Sequence, residues 1–384
     1  MTARHWLALI GLTFSTFIFN TSEFIPIALL TDIATEFQMT EAHAGMLISV
    51  YAWMVMLLSL PLMLLTSKVE LRRLLLVITF LFVCFQVLSS LSVSYGMLMV
   101  SRIGVACTHA IFWSIVSPVA VSIVPKEHQP VAMSMVVTGS SVAMILGMPL
   151  GRIIGLQVGW RMTFGCIAGF ALFTFIYLLC TLPKVPSHGG FSVHRLPELL
   201  HNKTLMCIFT LTLLFATSYY TGYSYIEPFL LQVAGMSNEL ITITLMLFGV
   251  AGILGSMAYS RFYARNPIRF FTVALSGIFL CLLLLYPMTK VGHSVVLLCA
   301  LWGMAATSYN VSFQSEIINH TTSDATPIAM SISSGIFNLG IATGTLIGGG
   351  VCTHLSIVYI GFFGAGIALC AFLFWWFMLR PLIK

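Results

Sequence analysis

Charge is what this sequence has least of. Among its 384 residues only 7% are charged, with 11 Asp and Glu against 17 Lys and Arg, while 59% are hydrophobic. A soluble domain carries about 25% charge and about 45–50% apolar residues, so this chain could not cover a water-facing surface of its own size. Other absences narrow the chemistry. No G-x-x-x-x-G-K-[ST] phosphate loop and no H-E-x-x-H pair occurs, which argues against ATP-driven pumping by the chain itself and against zinc proteolysis. The nine cysteines stand within apolar segments without a C-x-x-C pair and read as small packing residues, with no disulfide framework or metal site implied. No paired catalytic constellation points to an enzyme and no cofactor is called for. The net charge of +6 comes from basic residues placed singly or in small groups between apolar runs, so nucleic acid is not the expected partner.

What the sequence has in plenty is long apolar runs. One membrane-spanning helix takes roughly 20 residues, and the runs bounded by charge, Pro and Gly predict spans near 6–30, 43–65, 74–92, 96–122, 131–156, 161–182, 204–230, 236–259, 270–287, 294–316, 326–352 and 357–379. The first run exceeds the apolar core of a signal peptide and lacks an A-x-A site, so it is kept as a span. The expected fold class is therefore an all-α polytopic membrane protein of twelve transmembrane helices.

With an even number of spans both termini share a side. That side carries most of the basic residues: Arg4, then Lys68, Arg72 and Arg73, then Lys126, Lys184, Arg195 and Lys203, then Arg261, Arg265 and Arg269, and finally Arg380 and Lys384. The positive-inside rule makes it cytoplasmic. The longest connection, with Pro183, Pro186, Gly189 and Gly190, lies on this side and divides the helices six and six. The expected domains are 1–182, a linker 183–203, and 204–384. Within them Pro130-Val131-Ala132-Met133-Ser134 recurs as Pro327-Ile328-Ala329-Met330-Ser331, and at the same offset Gly147 meets Gly344 and Gly151 meets Gly348. Parallel six-helix repeats are a transporter plan whose substrate site lies at the interface of the halves.

Gly147, Gly151, Gly155 and Gly159 recur every fourth residue, as do Gly340, Gly344 and Gly348. Such faces let helix backbones approach closely; they serve as packing ridges or as surfaces on which one half rocks against the other. Ionisable residues within spans are costly and are functional candidates: Glu23, Arg102, His109, Arg152 and Glu227. Glu23 and Arg102 sit at matching depth and are expected to pair, as a static ion pair or as a proton-coupled switch. His109 and Trp113 share a helix face with Arg102. Glu227 lies nearer the end of its span, where the headgroup level is the plainer expectation. Asn20, Tyr51, His109, Trp113, Tyr223, Asn310 and Asn338 are candidate lining residues, since amides bond hydroxyls and rings cover C–H faces of a sugar; Tyr and Trp also populate interfacial belts.

The stretches Phe19-Asn20-Thr21-Ser22-Glu23-Phe24-Ile25-Pro26, Ser101-Arg102-Ile103-Gly104, Gly147-Met148-Pro149-Leu150-Gly151-Arg152 and Gly159-Trp160-Arg161 resemble the major facilitator superfamily, in its drug:proton antiporter branch. More closely, Asn20 to Pro26, His109 to Ser114, Tyr223 to Phe229 and Ser334 to Asn338 are similar to bacterial sugar efflux transporters of the arabinose and IPTG exporting type. The resemblance covers essentially the whole chain. It implies the major facilitator fold and a multi-pass exporter in the bacterial inner membrane, functioning as a monomer. Its cargo would be sugars or toxic sugar derivatives, exchanged for protons by alternating access. It also implies a proton-coupling role for Arg102 and an antiporter motif at Gly139, Gly147, Pro149 and Gly151. Lys68 and Leu71 stand where the superfamily loop has an acid and a glycine. Efflux of lipophilic drugs is the alternative that the antiporter motif permits.

Overall fold

In lipid a backbone must satisfy its own hydrogen bonds, which leaves a chain of apolar runs little choice but helices. A computed structural model describes residues 2–66, 68–185, 201–321 and 326–383, and it contains no strand among them. Twelve helices there are long and apolar enough to cross a membrane: α1 Ala3–Ala28, α2 Glu41–Ser59, α3 Leu71–Ser90, α4 Tyr95–Ser122, α5 Val131–Val158, α6 Trp160–Thr181, α7 Lys203–Gln232, α8 Asn238–Tyr259, α9 Pro267–Thr289, α10 Ser294–Asn319, α11 Ala329–His354 and α12 Ile357–Leu379. All twelve expected spans are found, with edges displaced by a few residues. The expected linker falls mostly outside the described residues.

Several of these helices are not regular throughout; α2 is interrupted at Gly45 and α12 ends in a π-helical stretch, Trp375–Leu379. A π-helical turn occupies Ala143–Gly147 in α5. In α7 the helix Lys203–Tyr223 stops and a second segment, Ile226–Gln232, begins. Pro228 falls in the first turn of that segment, where its missing N–H costs nothing. α1 ends at Leu29 and is followed by the short helix Leu30–Glu36. Between α5 and α6 the turn is made at Gly159, whose φ of 98° suits glycine alone among common residues. Gly159 thus leaves the every-fourth-residue series: it is a turn residue and not part of the packing face.

The chain divides into two compact units, Met1–Leu29 with Met54–Phe191, and Leu30–Trp53 with Ser192–Lys384. Within the first, α1 packs on α5 and α6, and α3 packs on α4 and α6. Within the second the same pattern recurs six helices later, α7 on α11 and α12, α9 on α10 and α12. Ala132 and Ala329, equivalent in the sequence repeat, are both fully buried. The glycine faces are used inside each unit. A Cβ on Gly139, Gly147 or Gly151 would strike Thr16, Thr21 or Ile25 of α1, and one on Gly340 or Gly344 would strike Ala216 or the Thr217 carbonyl of α7. Pro149 is buried among them.

Candidate functional site

In the first unit the buried ionisable groups gather where α1 meets α4. Glu23 Oε2 lies 3.4 Å from His109 Nε2, with side-chain exposures of 11% and 2%. Arg102, one-hundredth exposed, reaches the same turn of α1 through other atoms: Nη1 donates to Ser22 Oγ (3.2 Å) and Nη2 to the Glu23 backbone carbonyl (3.4 Å). The Glu23 carboxylate thus meets the His109 imidazole, while Arg102, the partner expected from matching depth, stands at the same turn and holds its backbone. Arg102 also lies 5.9 Å from the Phe164 ring of α6. Ser22 further accepts from Gln86 Nε2 of α3. Around this cluster Phe19 is stacked between Phe82 and Phe112 at 4.0 Å each, and Trp113 meets His109 edge-on at 5.8 Å. Asn20 is nearly buried one residue after Phe19, and Trp113 is half-buried.

Arg152 belongs to the same unit but not to that cluster. Its Nη1 donates to the Ala28 carbonyl at 2.6 Å, so a cation sits at the C-terminal end of α1 where the helix dipole favours it.

The second unit fills the matching place with rings. Phe215 stacks on Tyr309 at 4.0 Å, and Tyr219 meets Trp302 at 5.4 Å. Tyr223 closes the group against Tyr219 and Phe248, at 4.9 Å each. Thus Phe19 and Glu23 of α1 face Phe112 and His109 of α4, while Phe215 and Tyr219 of α7 face Tyr309 and Trp302 of α10. Of the other expected lining residues, Asn338 is 6% exposed and donates from Nδ2 to the Ser334 carbonyl (3.0 Å); its Oδ1 has no partner among the described residues. Asn310 is half-buried beside Tyr309, and Tyr51 is buried in the segment that belongs to this unit.

Glu227, five residues from the end of α7, is held inside the protein. It is 1% exposed and accepts hydrogen bonds from Thr31 Oγ1 (2.7 Å) and Thr31 N (3.3 Å). The break in α7 explains this, because it puts Glu227 in the first turn of a new helix, where a carboxylate is favoured. Nothing in the sequence sets Ser22 or Gln86 apart as a site residue. The only signal for Gln86 was a lone amide within the apolar run of α3.

Solved structures with this fold include a bacterial homologue of the human lysosomal transporter Spinster in an inward-facing, unoccupied conformation. It shares 14% identity at a TM-score of 0.78 over 99% of this chain and 98% of that one. The human organic anion transporter MFSD10 (TETRAN) shares 15% identity at a TM-score of 0.71, over 97% of this chain and all of the other. At such identities the likeness is one of fold. The sequence profile of the Major Facilitator Superfamily matches residues 12–326. With the helix pattern repeated in two units and that profile spanning most of its length, this chain belongs to the Major Facilitator Superfamily of membrane transporters.

Proposed function

We propose that this transporter exports sugars from the bacterial cytoplasm in exchange for protons, with both termini on the cytoplasmic side of the inner membrane. The observation that carries the reading is the contact of Glu23 Oε2 with His109 Nε2 inside the first unit. A carboxylate and an imidazole at that separation can hold one proton or two, and each proton changes the charge of a low-dielectric site by one. Arg102 keeps its positive charge throughout. With Glu23 ionised the guanidinium has a balancing charge on the same turn; with Glu23 protonated that balance is lost. Proton binding thus favours a different arrangement of the α1 turn that Arg102 holds through Ser22 Oγ and the Glu23 carbonyl. That coupling is what an antiporter needs between its proton and its conformational cycle.

Sugar as the cargo is supported by the similarity of the quoted stretches to sugar efflux transporters. The chemistry of Asn20, Asn310 and Asn338 beside Trp113, Tyr51 and Tyr223 agrees with it, offering amides for hydroxyls and rings for C–H faces. Export of lipophilic compounds is the second reading, favoured by the ring group Tyr219, Tyr223, Phe248 and Trp302.

Counterflow of labelled arabinose, beside lactose and a drug panel, in liposomes holding only the purified protein tests the proposal. Sugar exchange that turns uphill only under an imposed pH gradient is expected. Drug flux without sugar flux would move the protein to the second reading, and sugar flux indifferent to the gradient would remove the proton from it.

A further inference from the structure

The first unit also carries a groove whose lining shares no residue with the Glu23–His109 cluster. At the start of α3, a cavity of ≈500 Å³ opens between α3 and α6, with Glu70, Arg72 and Arg73 at its head. Its walls are apolar: Val77, Phe80 and Leu81 from α3, and Phe175 and Leu179 from α6. Val77, Phe80, Leu81 and Leu179 are each 41–49% exposed. On helices of this hydropathy such side chains meet lipid. The groove therefore has a charged mouth at the level where α3 begins and α6 ends, and a greasy trough running into the bilayer. From Arg73 to Leu81 the trough extends ~12 Å along α3, about four-fifths of the ~15 Å that one leaflet's acyl region spans.

The mouth is strongly basic. Arg72 donates from Nη2 to the Leu179 carbonyl at 2.9 Å, which fixes its guanidinium across the head of the groove, and its buried Nε has no partner among the described residues. Arg73 is exposed beside it. Val185, just beyond α6, is pinned to the start of α3: its N–H donates to Glu70 Oε1 and its carbonyl accepts from Leu71 N, both at 3.0 Å. Exposed Lys184 directly precedes this pinned residue, and exposed Lys68 precedes α3 by three residues. Two cations, Arg72 and Arg73, thus line the mouth with one acid, Glu70, whose carboxylate is already engaged by the Val185 amide, and Lys68 and Lys184 stand next to it in the chain. The N-terminal dipole of the twenty-residue α3 adds to the same sign.

We propose that this groove is a binding site for an anionic phospholipid, its phosphate held by Arg73 and Arg72 and one acyl chain lying along Val77, Phe80 and Phe175. Basic pockets between membrane helices near the headgroup level recognise anionic lipid in this manner. The lysine at position 68 and the absence of an acid there give the loop the charge that the site needs.

Native mass spectrometry of the full chain in detergent micelles, titrated with phosphatidylglycerol or with phosphatidylcholine of identical chains, tests it. Phosphatidylglycerol is expected to be retained preferentially at one site, and R73Q to weaken it about fivefold, the effect of one cation at a membrane surface, with phosphatidylcholine unchanged. V77W, which fills the trough, is expected to weaken both lipids. R73Q alters an exposed side chain, and its thermal midpoint should match the parent. Equal retention of the two lipids, or retention indifferent to R73Q, would overturn the proposal. Displacement of phosphatidylglycerol by millimolar inorganic phosphate would overturn it too, by showing a site for the free anion.

Discussion

Glu23, Arg102 and His109 illustrate what one residue can reveal in an apolar helix. Each stands out in the sequence because an ionisable group there is costly, and each is found at the α1–α4 contact. Their partners are another matter. Depth along a helix follows from counting residues, whereas the direction a side chain takes across to its neighbour depends on helix rotation, which hydropathy does not fix. That is why the contact of His109 with the carboxylate, and the support from Ser22 and Gln86, carried almost no signal. Glu23→Gln keeps the shape and removes the titration, so counterflow should persist in liposomes while gradient-driven accumulation disappears; accumulation at the parent rate would take Glu23 out of the coupling. Arg102→Lys cannot span Ser22 Oγ and the Glu23 carbonyl together, and its loss of charged hydrogen bonding should cost about 1.5–3 kcal/mol in thermal unfolding. Between α8 and α9, the Tyr263 hydroxyl donates to buried Glu316, and burial together with that carboxylate holds the phenol above its ordinary range. Its contribution is complete below about pH 10 and declines as the pH rises beyond. Tyr263→Phe should therefore melt earlier at neutral pH and lose less stability than the parent at alkaline pH.

For the helices, existence and length were legible and interruptions were not. Hydropathy marked all twelve spans because lipid solvation demands an apolar surface along the full length of each. The stop at Tyr223 in α7 left no gap in hydropathy, only Pro228 three residues into the new segment. The glycine periodicity marks a surface where a Cβ finds no room. Which surface it approaches came from the fold: α1 for Gly147, α7 for Gly344. Gly147→Val would drive methyl groups into Thr21 and should cost about 1–3 kcal/mol by overpacking. Gly335→Ala, also helical but with open space around it, should instead gain up to about 1 kcal/mol. Parallel thermal melts of the two variants would show opposite shifts; shifts of one sign would deny the difference in surroundings.

The whole molecule adds a fact that no repeat in the sequence displayed. Segment Leu30–Trp53 continues the first six spans in sequence and belongs to the second compact unit in space. One tie is the buried Glu227 carboxylate, which takes both the amide and the hydroxyl of Thr31; another is Gln232 Nε2 donating to Glu41 Oε1. Membership of this kind is set by tertiary contact, so neither composition nor the 130/327 correspondence could register it. Glu227→Leu would leave two donors at Thr31 unanswered, and hydrogen exchange should then quicken over Leu30–Glu36 while α1 and α3 keep their protection. Unchanged exchange in that segment would show that the tie is held by its other contacts.

The π turn at Ala143–Gly147 also bears on how such a chain tolerates change in length. Gly139 and Gly147 are eight residues apart, ~80° out of line on a regular helix, whereas seven residues would leave them ~20° apart. One wide turn absorbs the surplus residue and lets both glycines meet α1. Removing Ile145 should therefore convert the bulge to ordinary helix and leave the face in register, giving a folded protein. The same excision in α11, at Leu346, has no surplus to remove and would rotate everything beyond it. Within a bundle that counts every residue, α5 holds a place where the chain can gain or lose one.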